Sequence, residues 1–230
     1  MVGAESFVID VADSRTTGRC YGPPASIGAR AALVLAHGAG APQTHPWMVR
    51  MAGALASRGL EVFTFNFLYT ESRRRVPDKN AVLEETWRAA ARAVRARSEA
   101  AARKLFIGGK SMGGRIATQI AAAAAGPGAI GELAGLVLLG YPLHPPGRPD
   151  KLRSAHLARV EAPMLFVQGS RDAFGSPAEL EPFVAPLASR GTRIFAIEGG
   201  DHSLVPPKSS GVDIEQVTAR VADEIARFTG

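Results

Sequence analysis

The 230-residue chain carries 27 Lys and Arg against 21 Asp and Glu, a net charge of +6, and 46% of its residues are hydrophobic. That supplies enough apolar material for one large core, so a single domain over residues 1–230 is expected. Its lone Cys20 excludes an internal disulfide framework and has no second Cys or nearby His at zinc spacing.

No apolar run approaches the roughly 20 residues of a membrane span. Residues 1–5 show no basic stretch leading into a signal-type apolar core, so a cytoplasmic protein with no membrane partner is expected. The excess positive charge is Arg scattered through Ala-rich helical patterns. Arg73-Arg74-Arg75 is the only contiguous basic triplet, and it lacks the interleaved aromatics that base stacking requires, so no nucleic-acid partner is expected.

In chain order, the pattern opens with an edge strand at residues 6–11, expected to be antiparallel because no crossover helix fits before residue 31. A strand at 32–36 follows, then a helix at 47–57, with Thr44 or His45 before Pro46 at its entry and Gly59 past its end. Next come a strand at 60–65, a helix at 81–101, a strand at 105–108 and a helix at 112–125. Glu84, Arg88, Arg92 and Arg95 recur at helical spacing and read as a solvated face. A strand at 136–139 leads into a Pro-rich loop at 141–149 and a short helix at 151–159, too little chain for a large lid. A strand at 164–168, a helix at 177–188 entered through Ser176-Pro177, a strand at 194–197 and a helix at 214–228 complete the chain. Mostly apolar strands alternating with helices predict an α/β fold, with a mostly parallel sheet covered by helices on both faces.

Gly109-Lys110-Ser111-Met112-Gly113 sits between the strand at 105–108 and the following helix. A G-x-S-x-G turn in that context holds a serine Oγ clear of the backbone, and its glycines let strand and helix approach closely, so Ser111 is the candidate nucleophile. In open parallel sheets, reactive groups collect at the carboxyl ends of strands. Three further ends qualify: His37-Gly38-Ala39-Gly40, Gly169-Ser170-Arg171-Asp172 and Gly199-Gly200-Asp201-His202. Taken singly, Asp172 reads equally as an ion-pair partner of Arg171, and His202 as a structural turn residue. Together with Ser111 they stand in the order Ser, Asp, His, each after a strand, which favours a triad. Asp201 is the weaker acid candidate, because adjacent side chains seldom meet.

These residues resemble an α/β-hydrolase-fold serine hydrolase over nearly the whole chain, and are similar to the small lidless group that includes dienelactone-hydrolase-like esterases. True dienelactone hydrolases use cysteine where this chain has Ser111, so the resemblance implies an ester or thioester substrate before a lactone. A narrower likeness, to the branch of testis-expressed hydrolase-like proteins, rests on residues 108–115, on Phe65-Asn66-Phe67-Leu68-Tyr69 with Arg73 to Asp78, and on Tyr141 to Gly147. Larger eukaryotic relatives of that branch include subunits of chromatin complexes, so a catalytically silent interaction module is the alternative reading.

Carried onto this chain, the resemblance implies Ser111 as nucleophile, His202 as general base and then acid, and Asp172 as the group orienting the imidazole. It implies an oxyanion hole from the backbone N–H groups of Met112 and Ala39, with Gly40 as the fallback donor. The reaction would be that of a carboxylesterase, thioesterase or lactonase on a small molecule, with a homodimer left open. No organic cofactor and no metal is expected, since His45, His144 and His156 lack paired ligand spacing. His37 is read as a turn residue supporting the oxyanion loop. Phe67, Tyr69, Tyr141 and Phe174 lie beside strand ends as candidates for the substrate pocket, with core or rim packing the equal alternative. Lys110 and Arg73 to Arg75 are read as solvated charge, or, if they face the crevice, as favouring an anionic substrate.

Overall fold

A computed structural model describes residues 3–97, 103–123 and 130–230. Eight strands form one sheet in the order β1-β2-β4-β3-β5-β6-β7-β8. They are β1 (Ala4–Val11), β2 (Ser14–Tyr21), β3 (Ala31–Ala36), β4 (Leu60–Phe65), β5 (Lys104–Lys110), β6 (Gly135–Leu139), β7 (Met164–Gly169) and β8 (Arg193–Ile197). β1 and β2 are antiparallel to each other, and β2 is antiparallel to β4. Every other neighbouring pair is parallel. The helices are α1 (Pro46–Ala56), α2 (Leu68–Glu71), α3 (Asn80–Arg95), α4 (Met112–Ala122), α5 (Pro177–Val184) and α6 (Ile214–Thr229).

The strands β3, β4, β6 and β7 are buried along their whole length, which explains why they read as continuous apolar runs instead of alternating ones. Their side chains still alternate between two cores. Val34, Phe63, Phe65, Ile107, Leu138 and Phe166 face α3, α4 and α5. Leu33, Leu35, Val62, Val137, Leu139 and Val167 face α1 and α6. The helices supply matching stripes, such as Leu83, Trp87, Ala90, Ala91 and Val94 on α3, and Val217, Val221 and Ile225 on α6. Each large apolar side chain buried this way contributes about 1.5–3 kcal/mol, so both layers hold the sheet edge-on to the loops above it. On the outer face of α3, Arg88 pairs with Glu84 at 2.9 Å and Arg92 with Glu85 at 2.8 Å.

The elements differ from expectation in several places: the sequence reading has no α2, and the helix expected over 81–101 ends at Arg95. The sequence reading has no β2, which pairs with the expected edge strand in a hairpin. Its turn contains Ala12 at a φ of 48°, a left-handed conformation that alanine does not advertise. The expected short helix at 151–159 is only a 3-10 turn, Leu157–Arg159. The helix expected to reach residue 188 ends at Val184 and tightens into a 3-10 turn, Ala185–Arg190, where Pro186 has no amide to continue the ladder. Residues 98–101 of the helix expected at 81–101 and 124–125 of the helix after Ser111 lie outside the described residues. No helix among the described residues is long and apolar enough to cross a membrane.

Candidate active site

The site stands over the carboxyl ends of β3, β5, β7 and β8. β3 and β5 are neighbours in register, with Ala36 opposite Gly109. At the turn from β5 into α4, Ser111 holds φ 51° and ψ −116°, a strained conformation for a residue with a side chain. Its N–H donates to Leu139 O at 2.9 Å, which fixes the turn against β6. The flanking glycines are required by packing. A Cβ on Gly109 would stand 2.5 Å from Ala36 O, and one on Gly113 would stand 2.6 Å from both Ala36 O and His37 O. Trp87 Nε1 donates to Gly113 O at 3.0 Å, so α3 also braces the turn.

Ser111, His202 and Asp172, far apart in sequence, meet here. His202 Nε2 lies 2.8 Å from Ser111 Oγ, and Nδ1 lies 3.0 and 2.9 Å from the two Asp172 oxygens. A carboxylate can only accept from Nδ1–H, so Nε2 is left with its lone pair toward the serine hydroxyl. Phe174 stacks on the imidazole, with ring centroids 4.1 Å apart.

The Asp172 side chain is fully buried. Its Oδ1 accepts from Phe174 N–H at 2.9 Å, and its Oδ2 accepts from Gln168 Nε2 at 2.8 Å. Gln168 also donates to Gly175 O at 2.6 Å, while its Oε1 accepts from Tyr141 N–H at 2.8 Å. It thus ties the loops after β6 and β7 to the acid. The sequence reading passed over this residue, although one polar side chain closing an otherwise apolar strand was a usable signal. Asp201 instead accepts from Ser203 and Val205 N–H groups at 2.8 and 3.0 Å and shapes the loop that carries His202.

His37 is buried beneath the loop after β3. Its Nδ1–H donates to Gly38 O at 2.7 Å, and its Nε2 accepts from Phe67 N–H at 3.1 Å. Both nitrogens are thereby used in the neutral ring, and burial lowers the pKa to about 4. It braces the loop instead of facing Ser111. Ala39 and Met112 line the same groove as Ser111. Met112 is the first residue of α4, where a backbone N–H has no partner within the helix.

That groove has a volume of about 700 Å³, with Met48, Leu83, Met112 and Phe174 among its apolar walls. Of the four aromatic pocket candidates, Phe174 alone lines it. Phe67, Tyr69 and Tyr141 are instead core residues at 0, 1 and 1% exposure. Phe67 and Tyr69 meet the His37 ring edge-on, with centroids 5.1 and 6.1 Å away, and Tyr141 donates its hydroxyl to Arg153 O at 2.7 Å, so their positions at strand ends serve packing.

Lys110 takes the second of its two readings and faces the groove. Its ammonium donates to His202 O and lies 6.0 Å from the Trp47 ring centroid. Trp47 Nε1 in turn donates to Ser203 O at 3.1 Å, so the two side chains hold successive carbonyls of the histidine loop. Burial lowers the Lys110 pKa to about 8, against the opposing pull of Asp172 and Asp201. Arg73 to Arg75 are exposed, and Arg74 pairs with Asp78 at 2.7 Å. Burial pushes the Cys20 thiol up to about 12, which makes it a poor nucleophile. Among the described residues, no group of three or more His, Cys, Asp and Glu is arranged to hold a metal ion.

The family model described as alpha/beta hydrolase domain matches residues 29–230. Among solved structures, an alpha-beta serine hydrolase homologue from Coxiella burnetii is similar at TM-score 0.71 and 18% identity, covering 94% of this chain and 96% of that one. A dienelactone hydrolase from Anabaena variabilis is similar at TM-score 0.71 and 19% identity, covering 98% and 96%. A protein from Xanthomonas campestris described as an a/b serine hydrolase without lid is similar at TM-score 0.71 and 17% identity, covering 98% and 96%. At these identities the likeness is one of fold.

Proposed function

The chain belongs to the alpha/beta hydrolase domain family, and from that premise we propose that it is a serine hydrolase cleaving small ester or thioester substrates through an acyl-enzyme on Ser111. The observation that carries this reading is the continuous hydrogen-bonded line from Ser111 Oγ through His202 to the buried Asp172.

Each step has a group suited to it. As Ser111 Oγ attacks the substrate carbonyl carbon, His202 Nε2 accepts the hydroxyl proton and becomes imidazolium, which the Asp172 carboxylate stabilises without itself taking the proton. The carbonyl oxygen gains negative charge and is held by the N–H groups of Met112 and Ala39. Collapse of the tetrahedral adduct breaks the bond to the leaving oxygen or sulfur, which takes the proton from His202. Water then attacks the acyl-Ser111 ester as His202 Nε2 accepts its proton; the acyl–Oγ bond breaks, His202 returns the proton to Ser111 Oγ, and the freed acid leaves the serine restored.

The mostly apolar groove supports small acyl chains as substrates. A panel of short 4-nitrophenyl esters and acyl thioesters tests the reading. Wild type should turn over at least one class, and Ser111→Ala should lower that turnover by roughly four to six orders of magnitude with the fold retained. Near-normal turnover by folded Ser111→Ala would remove the nucleophile assignment.

A further inference from the structure

We propose that Arg115 and Arg153 form an anion subsite in the groove beside Ser111, which selects ester or thioester substrates carrying a carboxylate at the end of the group bound along α4. This inference rests on the hydrolase reading above and adds a substrate class to it.

Arg115 lies one helical turn beyond Ser111, its N–H donating to Ser111 O at 3.0 Å. Both residues line the groove, so Arg115 flanks the nucleophile one helical turn, about 5–6 Å, further along α4. Arg153 reaches the same groove from the loop after β6. Its backbone is held at both ends, with N–H donating to Leu143 O at 2.7 Å and O accepting from the Tyr141 hydroxyl at 2.7 Å. Both arginines are half-buried.

Among the described residues, neither guanidinium forms an ion pair with a carboxylate. Arg58, Arg74, Arg88 and Arg193 each reach a carboxylate oxygen within 2.9 Å. Arg115 has only the neutral oxygens of Asn80 at 3.4 Å and Gln119 at 3.3 Å. Among the described residues, Arg153 has no side-chain hydrogen bond or ion pair. Among the described residues Asp78 is the one acidic residue lining the groove; its Oδ1 is engaged by Arg74 at 2.7 Å, and its buried Oδ2 has no hydrogen-bond partner.

The two cations also oppose each other. Burial, followed by the charge of Arg153, lowers the Arg115 pKa, against smaller opposing effects of Tyr141 and Glu84. His156, whose Nε2 contacts Thr118 Oγ1 at 2.8 Å, is moved to about 4 by burial and then by Arg115 and Arg159. Two like charges brought together beside a partly dry groove repel, and an anion between them relieves that cost. Guanidinium forks match a planar carboxylate, whose two oxygens can accept from both side chains.

The test compares kcat/KM for mono-4-nitrophenyl adipate with that for methyl 4-nitrophenyl adipate, which has the same acyl chain with its carboxylate capped. Wild type should prefer the free carboxylate by roughly tenfold or more, mainly through KM, because the anion is remote from the reacting bond. The preference should shrink on raising ionic strength. In Arg153→Gln, Arg115→Gln and the double variant the ratio should fall toward one, with Arg153→Lys intermediate because it keeps the charge and loses the fork. Equal kcat/KM for the two esters in wild type, or an undiminished preference in the double variant, would overturn the subsite alone. Folded wild type that hydrolyses neither ester and leaves the broader panel untouched would overturn the hydrolase reading, and the subsite with it.

Discussion

The Asp172 carboxylate meets the His202 imidazole with both oxygens, at 3.0 and 2.9 Å from Nδ1, while its two remaining partners approach from Phe174 N–H and Gln168 Nε2. Acceptance from every side is what an ionised carboxylate provides. Asp172→Asn replaces one acceptor oxygen with a donor NH₂ and removes the charge that stabilises imidazolium. Its kcat should fall by about three to four orders of magnitude with little change in KM or in circular dichroism. A loss under tenfold would mean that Asp172 does not orient the base.

Gln168 has no exposure and connects Asp172 to Tyr141 N–H and Gly175 O. Gln168→Leu keeps the approximate volume but strands these buried groups without partners. Urea unfolding should show a loss of about 2–4 kcal/mol, and kcat should fall as the acid loosens. Unchanged stability would contradict the network.

How much of this was legible in sequence depends on what kind of signal each residue carried. Ser111, Asp172 and His202 follow strands that declare themselves as apolar runs, so topology alone brings their loops to one edge. Gln168 acts through loops converging from β6 and β7, a closeness that no local pattern encodes. Phe67, Tyr69 and Tyr141 sit at strand ends as Phe174 sits near one, and only the packing under His37 and against Arg153 separates core from groove. For Lys110 the sequence leaves two readings open, because lysine is usually solvated, and only the packing shows its ammonium on a carbonyl of the histidine loop. β2 was hidden by Ala12, which adopts a turn conformation usually announced by Gly or Asn.

Lys110→Met should keep the side chain's apolar packing while releasing His202 O. Because Lys110 positions the histidine loop, kcat for a neutral ester should drop by about tenfold with KM little changed. A change confined to KM would show instead that the ammonium contacts substrate.

His37 couples the loop to acid. Burial lowers its pKa from the ordinary histidine value to about 4, so between about pH 6.5 and 4 the unfolded chain binds the proton more readily than the folded one. Stability is therefore fully present above this window and is lost as pH falls through it, by up to about 3 kcal/mol from this residue. His37→Asn should show a shallower fall in unfolding free energy over the same window. Parallel pH curves for the variant and wild type would exclude His37 as the source.

The central claim is that Ser111 is an activated nucleophile, and the most direct measurement is labelling with a fluorophosphonate probe followed by peptide mapping by mass spectrometry. The account predicts an adduct on Ser111 in wild type that is absent from Ser111→Ala and much slower to form in His202→Ala. Folded wild type that forms no adduct would contradict it and turn the weight of the fold toward an interaction module.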